Sequence, residues 1–514
     1  YTGDGSSNRQ IAHNLGCEVG MLVVKRTDGS NPWAVYHRGS DATAPEDKEL
    51  QLNATDGAVN GYTTWARTAP TSTNFTVGSE GKVNESGWDY VAYLFAHNDG
   101  DGEFGEDADQ DIIKCGTCSG ETGSNRDINL GFEPQFVITK AVDTTGDWRI
   151  MDTMRGLLAD GTSVALVANA SNAEGSDDTL HINSNGFYVN GLPGSGDYIY
   201  IAIRRGPMKT PEDADDVFAI DYRHNATPSY TSGFPVDWAM QKRETGTDTR
   251  VATRMLGDKY LNANTTGAEA TLSTITWDYN DGMESHTSDQ TDKWQWMFRR
   301  APGFFDVVAY TGDGVGPRNV PHSLGVVPEM MINKDRTQSG SWFIYHKDLP
   351  LDSATQTASL LFDDQPPGGY GAWGEHSGQT ATTFEIAPSN DPEGNNKLGN
   401  AHITYLFATV PGVSKVGSYT GNGTSQTIDC GFSTGARFVL IKRTDSTSNW
   451  NLFDTERGIV AGNDPRLELN TTDAEDTGDD GVDPDSSGFA VNYIATNDDD
   501  VNVSGGTYIF LAIA

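Results

Sequence analysis

The chain has 514 residues and a net charge of −37, from 72 acidic against 35 basic side chains. Phosphate binding requires a basic face, so this balance argues against nucleic acid as a partner. No apolar run approaches the roughly 18 residues of a membrane helix, and no membrane insertion is expected. Only 36% of residues are hydrophobic, Gly numbers 58, and Asn, Asp, Ser and Thr crowd the stretches between apolar runs. That is the turn chemistry of an all-β chain, since Gly supplies positive φ and Asn or Asp side chains close turns.

In chain order the sequence reads as five modules of about 100 residues, a usual domain size, arranged A, B, C, A, B. Module 1 (1–111, type A) opens on Tyr1-Thr-Gly-Asp-Gly, continues through His13-Asn-Leu-Gly, Trp33 and Tyr36-His37, and closes on Tyr93-Leu-Phe-Ala. Module 2 (112–216, type B) carries short aromatic and β-branched runs separated by turns, as strands require. These are Phe136-Val-Ile-Thr-Lys, Asp147-Trp-Arg-Ile-Met-Asp, Val164-Ala-Leu-Val-Ala, Leu180-His-Ile-Asn, Gly186-Phe-Tyr-Val-Asn and Tyr198-Ile-Tyr-Ile-Ala-Ile. Helix is limited to single turns at Asp213-Ala-Asp-Asp and Asn169-Ala-Ser-Asn-Ala. Module 3 (217–303, type C) is the divergent copy, from Phe234-Pro-Val-Asp-Trp to Trp296-Met-Phe-Arg-Arg.

Module 4 (304–412) repeats type A at an offset of 309: Tyr310-Thr-Gly-Asp-Gly, His322-Ser-Leu-Gly, Trp342 and Tyr345-His346. Module 5 (413–514) repeats type B, with Phe438-Val-Leu-Ile-Lys442 for Phe136-Val-Ile-Thr-Lys140 and Trp450-x3-Asp454-x2-Arg457-Gly for Trp148-x3-Asp152-x2-Arg155-Gly. Module 4 is introduced by the apolar run Phe304-Phe-Asp-Val-Val-Ala, for which module 1 has no counterpart, so the chain is expected to start inside a longer polypeptide. Short strands with regular turn signals predict tandem β-sandwich modules of jelly-roll or lectin-like kind.

Recurrence decides how single residues are read. Trp33, Trp148, Trp342 and Trp450 share one position and read as core plugs rather than sugar-stacking surfaces. Lys25, Lys140, Lys242, Lys334 and Lys442 end the same strand and are expected to snorkel or to guard a sheet edge. Asp152/Arg155 and Asp454/Arg457 read as structural ion pairs. Cys115-Gly-Thr-Cys118 has the spacing of a redox or zinc motif, but module 5 has Val416 and Tyr419 at these places, and no second Cys or His pair completes a tetrahedral site. With Cys17 and Cys430 the chain has four thiols, which leave room for a disulfide without fixing its pairing.

Aromatics outside the repeat pattern, set among Gly, Asn and Asp, are the candidates for a loop-built glycan site: Tyr62, Trp65, Trp88, Trp277, Tyr279, Tyr370 and Trp373. The acidic stretch from Asn98 to Asp111 offers Asp99, Asp101, Glu103 and Glu106 as a candidate Ca2+ site, although the spacing departs from the EF-hand loop. Asp473-Ala-Glu-Asp and Asn497-Asp-Asp-Asp are weaker versions of it. No G-x-S-x-G, HExxH or phosphate-binding loop is present, and no catalytic residue is assigned.

The phrases Arg300-Ala-Pro-Gly-Phe-Phe-Asp-Val-Val-Ala-Tyr-Thr-Gly-Asp-Gly, His322-Ser-Leu-Gly-Val-Val-Pro-Glu-Met and Phe438-Val-Leu-Ile-Lys-Arg-Thr-Asp resemble a module common in structural proteins of marine tailed phages. The resemblance implies concanavalin-A-like lectin sandwiches in a long tail-fibre-like chain, located on the virion. It implies other virion proteins as partners, trimeric self-association and host-surface glycans as ligands. The expected function is therefore that of a non-enzymatic virion structural protein, a fibre or appendage attaching to host glycans through several weak contacts. The contrasting reading is a capsid-decorating or shaft scaffold that binds no receptor; a polysaccharide depolymerase and a secreted adhesin are further alternatives.

Overall fold

A computed structural model describes all residues except 121–125, 194–195, 286–291, 350–358, 363–364, 369–371, 375–377, 388–393 and 495–500. The protein is all-β. Among the described residues the helical elements are three short 3-10 turns, Pro45–Asp47, Ala214–Asp216 and Arg254–Leu256. The second of these falls on the helical turn expected near Asp213, whereas Asn169-Ala-Ser-Asn-Ala forms no helix.

Module 5 displays the construction. Its large antiparallel sheet has the order Ser414–Thr420, Thr507–Ile513, Phe438–Arg443, Trp450–Asp454, Leu467–Glu468. A small sheet of Gln426–Asp429, Gly488–Val491 and Val482–Asp485 faces it. The first strand of the module thus pairs with its last. The other modules repeat this order, with large sheets of five or six strands and small sheets of two or three. In module 1 the large sheet runs Val59–Asn60, Lys48–Gln51, Ala34–His37, Val19–Arg26, Tyr90–Ala96, so Tyr90–Ala96 is an edge. The six strands expected in module 2 are present, joined by Ile113–Ser119, Arg126–Asn129 and Gly175–Asp177.

Side chains alternate across a strand, and here both faces of the large sheet carry apolar residues. On Met330–Asp335, Met331 enters the sandwich core of module 4 with Phe343, Tyr345, Trp373, Phe384 and Ile386. Module 1 builds the same core from Leu22, Tyr36, Trp65, Phe75 and Val77, and module 3 from Tyr230, Ala239, Trp277 and Met283. Met330 and Ile332 lie on the opposite face and are buried as well.

The recurring Tyr-Thr-Gly has a steric cause. A Cβ on Gly3, Gly312 or Gly421 would lie 2.0, 2.1 or 2.2 Å from the carbonyl oxygen of Glu85, Lys397 or Val503 in the turn before the closing strand. Backbone cannot yield at that distance. Gly421→Ala is expected to lower stability by about 1–3 kcal/mol, as overpacking does, which chemical denaturation would measure; an unchanged midpoint would contradict the close approach.

Candidate functional site

The chain divides into two compact units, Tyr1–Met208 and Lys209–Ala514. Within each unit the most heavily built feature is the joint between modules. It is made by the loop that follows the second strand of the large sheet, the loop bounded by the recurring Lys and Trp.

In the second unit three such joints close a ring. The indole N–H of Trp450 donates to Leu361 O of module 4 (3.3 Å), and its ring stacks on Phe362 at 5.0 Å. Trp342 of module 4 donates to Asn262 O and Thr265 O of module 3 (3.2 and 3.1 Å), with Arg336 paired to Glu269 alongside (2.9 Å). Module 3 has Thr249 at the Trp position, and its Lys242 ammonium donates to Glu468 O and Thr471 O of module 5, both at 2.6 Å. The second faces of the sheets meet inside. Trp238 packs against Phe305, Tyr405 and Phe407 of module 4, and Phe218 and Phe298 pack against Phe438 of module 5. A further indole, Trp296, donates to Asp454 Oδ2 at 3.0 Å, the carboxylate that Arg457 holds at 2.7 Å.

The first unit has one such joint. Trp148 of module 2 donates to Gln51 O and Lys140 to Thr55 O of module 1 (2.9 and 3.0 Å). His37 lies in the same contact: its Nδ1 accepts the Gly39 N–H, so Nε2–H donates to Tyr200 O at 3.1 Å. Burial pushes His37 down to about 3, so the ring is neutral.

These joints revise two expectations. Trp148, Trp342 and Trp450 are plugs, but each fills the interface to the next module rather than its own core. The lysines do not snorkel. Lys140, Lys242, Lys334 and Lys442 are buried and donate to backbone carbonyls, Lys334 to Asp335 O and Gln338 O, Lys442 to Ser448 O. Asp152 and Asp454 do pair with Arg155 and Arg457, as expected. Sequence reasoning missed Asn53, Asn169, Asn264 and Asn470, whose side chains accept the backbone N–H of Trp33, Trp148, Thr249 and Trp450. The legible signal was a recurring apolar-Asn pair: Leu52-Asn53, Ala168-Asn169, Ala263-Asn264, Leu469-Asn470.

The structure does not bring the glycan candidates together. Trp65, Trp277 and Trp373 are buried in module cores, which corrects their reading as glycan-stacking surfaces. Trp65 and Trp373 even correspond, since each meets the equivalent tyrosine edge-on, Tyr36 or Tyr345. Trp88 is half-buried, its face covered by the Arg26 guanidinium at 3.1 Å. Tyr62 is 43% exposed, with Arg67 over its ring at 4.2 Å, and Tyr279 is half-buried. Tyr370 lies outside the described residues.

The Ca2+ candidate is also corrected. Asp99, Asp101, Glu103 and Glu106 are exposed and do not converge; among the described residues no three His, Cys, Asp or Glu gather for a metal. The loop is organised instead around Asp111, whose carboxylate accepts the N–H of Gly100 and Gly102 (2.9 and 3.0 Å) and pairs with Lys114 at 3.4 Å. Burial opposes ionisation of Asp111, but these donors outweigh it and hold the carboxyl below its usual range. Asn497-Asp-Asp-Asp lies outside the described residues. Cys17, Cys115, Cys118 and Cys430 are all free, and burial pushes Cys115 and Cys118 up to about 12, far from a reactive thiolate.

The first unit also has an open cleft of about 1020 Å3 between modules 1 and 2, lined by Arg38, Asp41, Lys48, Thr117, Asp143 and Asp197 among others. Its lining mixes charged groups of both signs with apolar side chains such as Ala58, Ile128 and Val142.

Two outcomes follow for the joints. Trp450→Ala removes a buried indole and its stacking on Phe362, so the second unit should lose about 3–5 kcal/mol, read from its unfolding transition. Desolvation pushes Lys140 and Lys242 down to about 8. Between about 8 and the ordinary 10.5 the folded state then holds fewer protons than the unfolded chain, so both lysines contribute stability that rises with pH across that window. The margin in melting temperature between wild type and a Lys140→Met, Lys242→Met variant should grow from pH 8 to pH 10; a constant margin would mean that the ammonium groups are not desolvated.

No curated protein matches the sequence. Residues 1–207 and 300–514 match a family described as a domain of unknown function, leaving out most of module 3. With the match spanning most of the chain, the protein belongs to the DUF7483 family.

Proposed function

We propose that this chain is a non-enzymatic structural protein of a tailed-phage virion, in which docked β-sandwich modules build a stiff fibre or surface appendage. The observation that carries this reading is the use of the aromatic residues. Trp65, Trp277 and Trp373 fill module cores, and Trp148, Trp342 and Trp450 fill module joints, which withdraws these six from any receptor-binding loop. Within each unit, buried, hydrogen-bonded joints hold the modules in one geometry, as a stiff appendage needs and a flexible string of binding domains does not. The phage setting rests on the resemblance of the type-A and type-B phrases to virion modules.

Host-glycan attachment is the second reading, favoured by the open cleft of the first unit, whose Arg38, Lys48, Asp143 and Asp197 match the hydrogen-bonding needs of sugars. Two measurements separate them. Mass spectrometry of purified source particles should find the chain at stoichiometric copy number, and its absence there would sink both. A glycan array probed with the 514-residue chain should stay at background; a saturable signal lost in Lys48→Ala and Asp143→Ala would move the function to attachment at the cleft.

A further inference from the structure

The two units are built alike but not equally covered. In the second unit each module is engaged on both sides, whereas in the first unit module 2 docks on module 1 and the remaining half of each joint is open. Tyr93 is 47% exposed; its counterpart Tyr405 is 1% exposed against Trp238. Trp33 and Phe95 are half-buried where Trp342 and Phe407 are buried.

Module 2 shows the complementary half. Phe136, Ile150 and Leu166 are half-buried, while Phe438, Leu452 and Leu467 at the same positions are buried by the ring. The carbonyls of Val167, half-buried, and Ala170, exposed, correspond to Glu468 O and Thr471 O, which receive Lys242 in module 5. The side chain of Arg155 is 40% exposed beside Asp152, whereas Arg457 is 1% exposed beside Asp454, beneath the indole of Trp296.

The uncovered positions are those that module 3 covers in the second unit. We propose that the open face of the first unit is a docking surface for one further module of type C, which closes a ring of three like that of the second unit. Three features of the open face identify the occupant. A lysine loop of the module 3 kind fits the hairpin of module 2, an indole at the Trp296 position fits Asp152 and Arg155, and a sheet presenting a Trp238-like ring fits Tyr93 and Phe95. The edge strand Tyr90–Ala96 sets the register. Tyr1 pairs with Tyr90 through both backbone hydrogen bonds, as Tyr310 pairs with His402. In the second unit Phe305–Ala309 pairs with Ile403–Phe407, the stretch equivalent to Val91–Phe95. A second copy of this chain is the poorer occupant, because its own module 3 is already held by modules 4 and 5.

The test appends residues 209–309 ahead of Tyr1 of the 514-residue chain, so that Ala309 leads into Tyr1 as it leads into Tyr310. Hydrogen exchange is then compared with and without the addition. Amides of Tyr90–Ala96 and Arg149–Asp152 should exchange at least tenfold more slowly in the extended chain, and Phe136→Asp with Arg155→Ala should abolish that protection. The same pair of substitutions in the unextended chain should leave its melting profile in place. Unchanged exchange overturns the proposal, even where the appended residues stay unprotected, since those residues fold when modules 4 and 5 receive them. Protection of these amides in the unextended chain, with a dimer in sedimentation, overturns it in favour of a second copy.

Discussion

The structure depends on one constraint: each large sheet is apolar on both faces, and a single small sheet can cover only one of them. The second face must be buried against other modules, and that burial carries polar groups with it. A buried indole N–H or ammonium needs an acceptor. Here the acceptors are main-chain carbonyls of the neighbour's hairpin, Leu361, Asn262 and Glu468 in the second unit and Gln51 in the first. The apolar faces supply the driving force, and the hydrogen bonds fix the register in which they meet.

Three sheets satisfy this constraint where two do not. In the ring each joint has a donor loop on one module and a carbonyl hairpin on the next, so three modules leave neither unused. Module 3 lies largely outside the family match because it performs these tasks with different residues. It puts Thr249 at the Trp position and gives Lys242 the bridging role. It also provides Trp238 and Trp296, the aromatic groups that fill the middle of the ring.

Much of this was legible in the sequence. The repeat, the strands and the burial of Trp148, Trp342 and Trp450 follow from spacing and residue type, whereas Trp33 at the same position is only half-buried. What Trp450 is buried against does not follow, because a plug in its own core and a plug in a neighbour impose the same pattern on one chain. The better signal was the lack of alternation in runs such as Phe438-Val-Leu-Ile: an antiparallel strand with one solvated face alternates, so a continuous run announces a sheet covered twice. Trp65 and Trp373 escaped as a pair because a length change between them moves the second one residue off the 309 offset. The lysines were misread because a strand-end Lys ordinarily reaches water, and only the fold shows that their strand ends lie against the following loop or the next module. The alternating Asp and Gly of the acidic loop fit either a cation site or a solvated linker between modules, whereas the position of Lys114 and the backbone donors to Asp111 determine its shape.

The same joints bear on the net charge. Lys140, Lys242, Lys334, Lys442, Arg300 and Arg336 are all buried. Arg300 faces the equally buried Asp306, a pair that is neutral to its surroundings, but the four lysines spend their charge on uncharged carbonyls. Buried carboxylates such as Glu49, Asp335, Asp454 and Asp464 offset most of these cations, so the solvent-facing surface keeps essentially the strong negative charge of the whole chain. Such a surface repels other copies of itself over a Debye length of about 8 Å at physiological salt. Association through surface charge is opposed, whereas association through buried plugs is not, since desolvated contacts are screened little by salt. The module therefore joins to its own kind through the faces that the acidic surface leaves free.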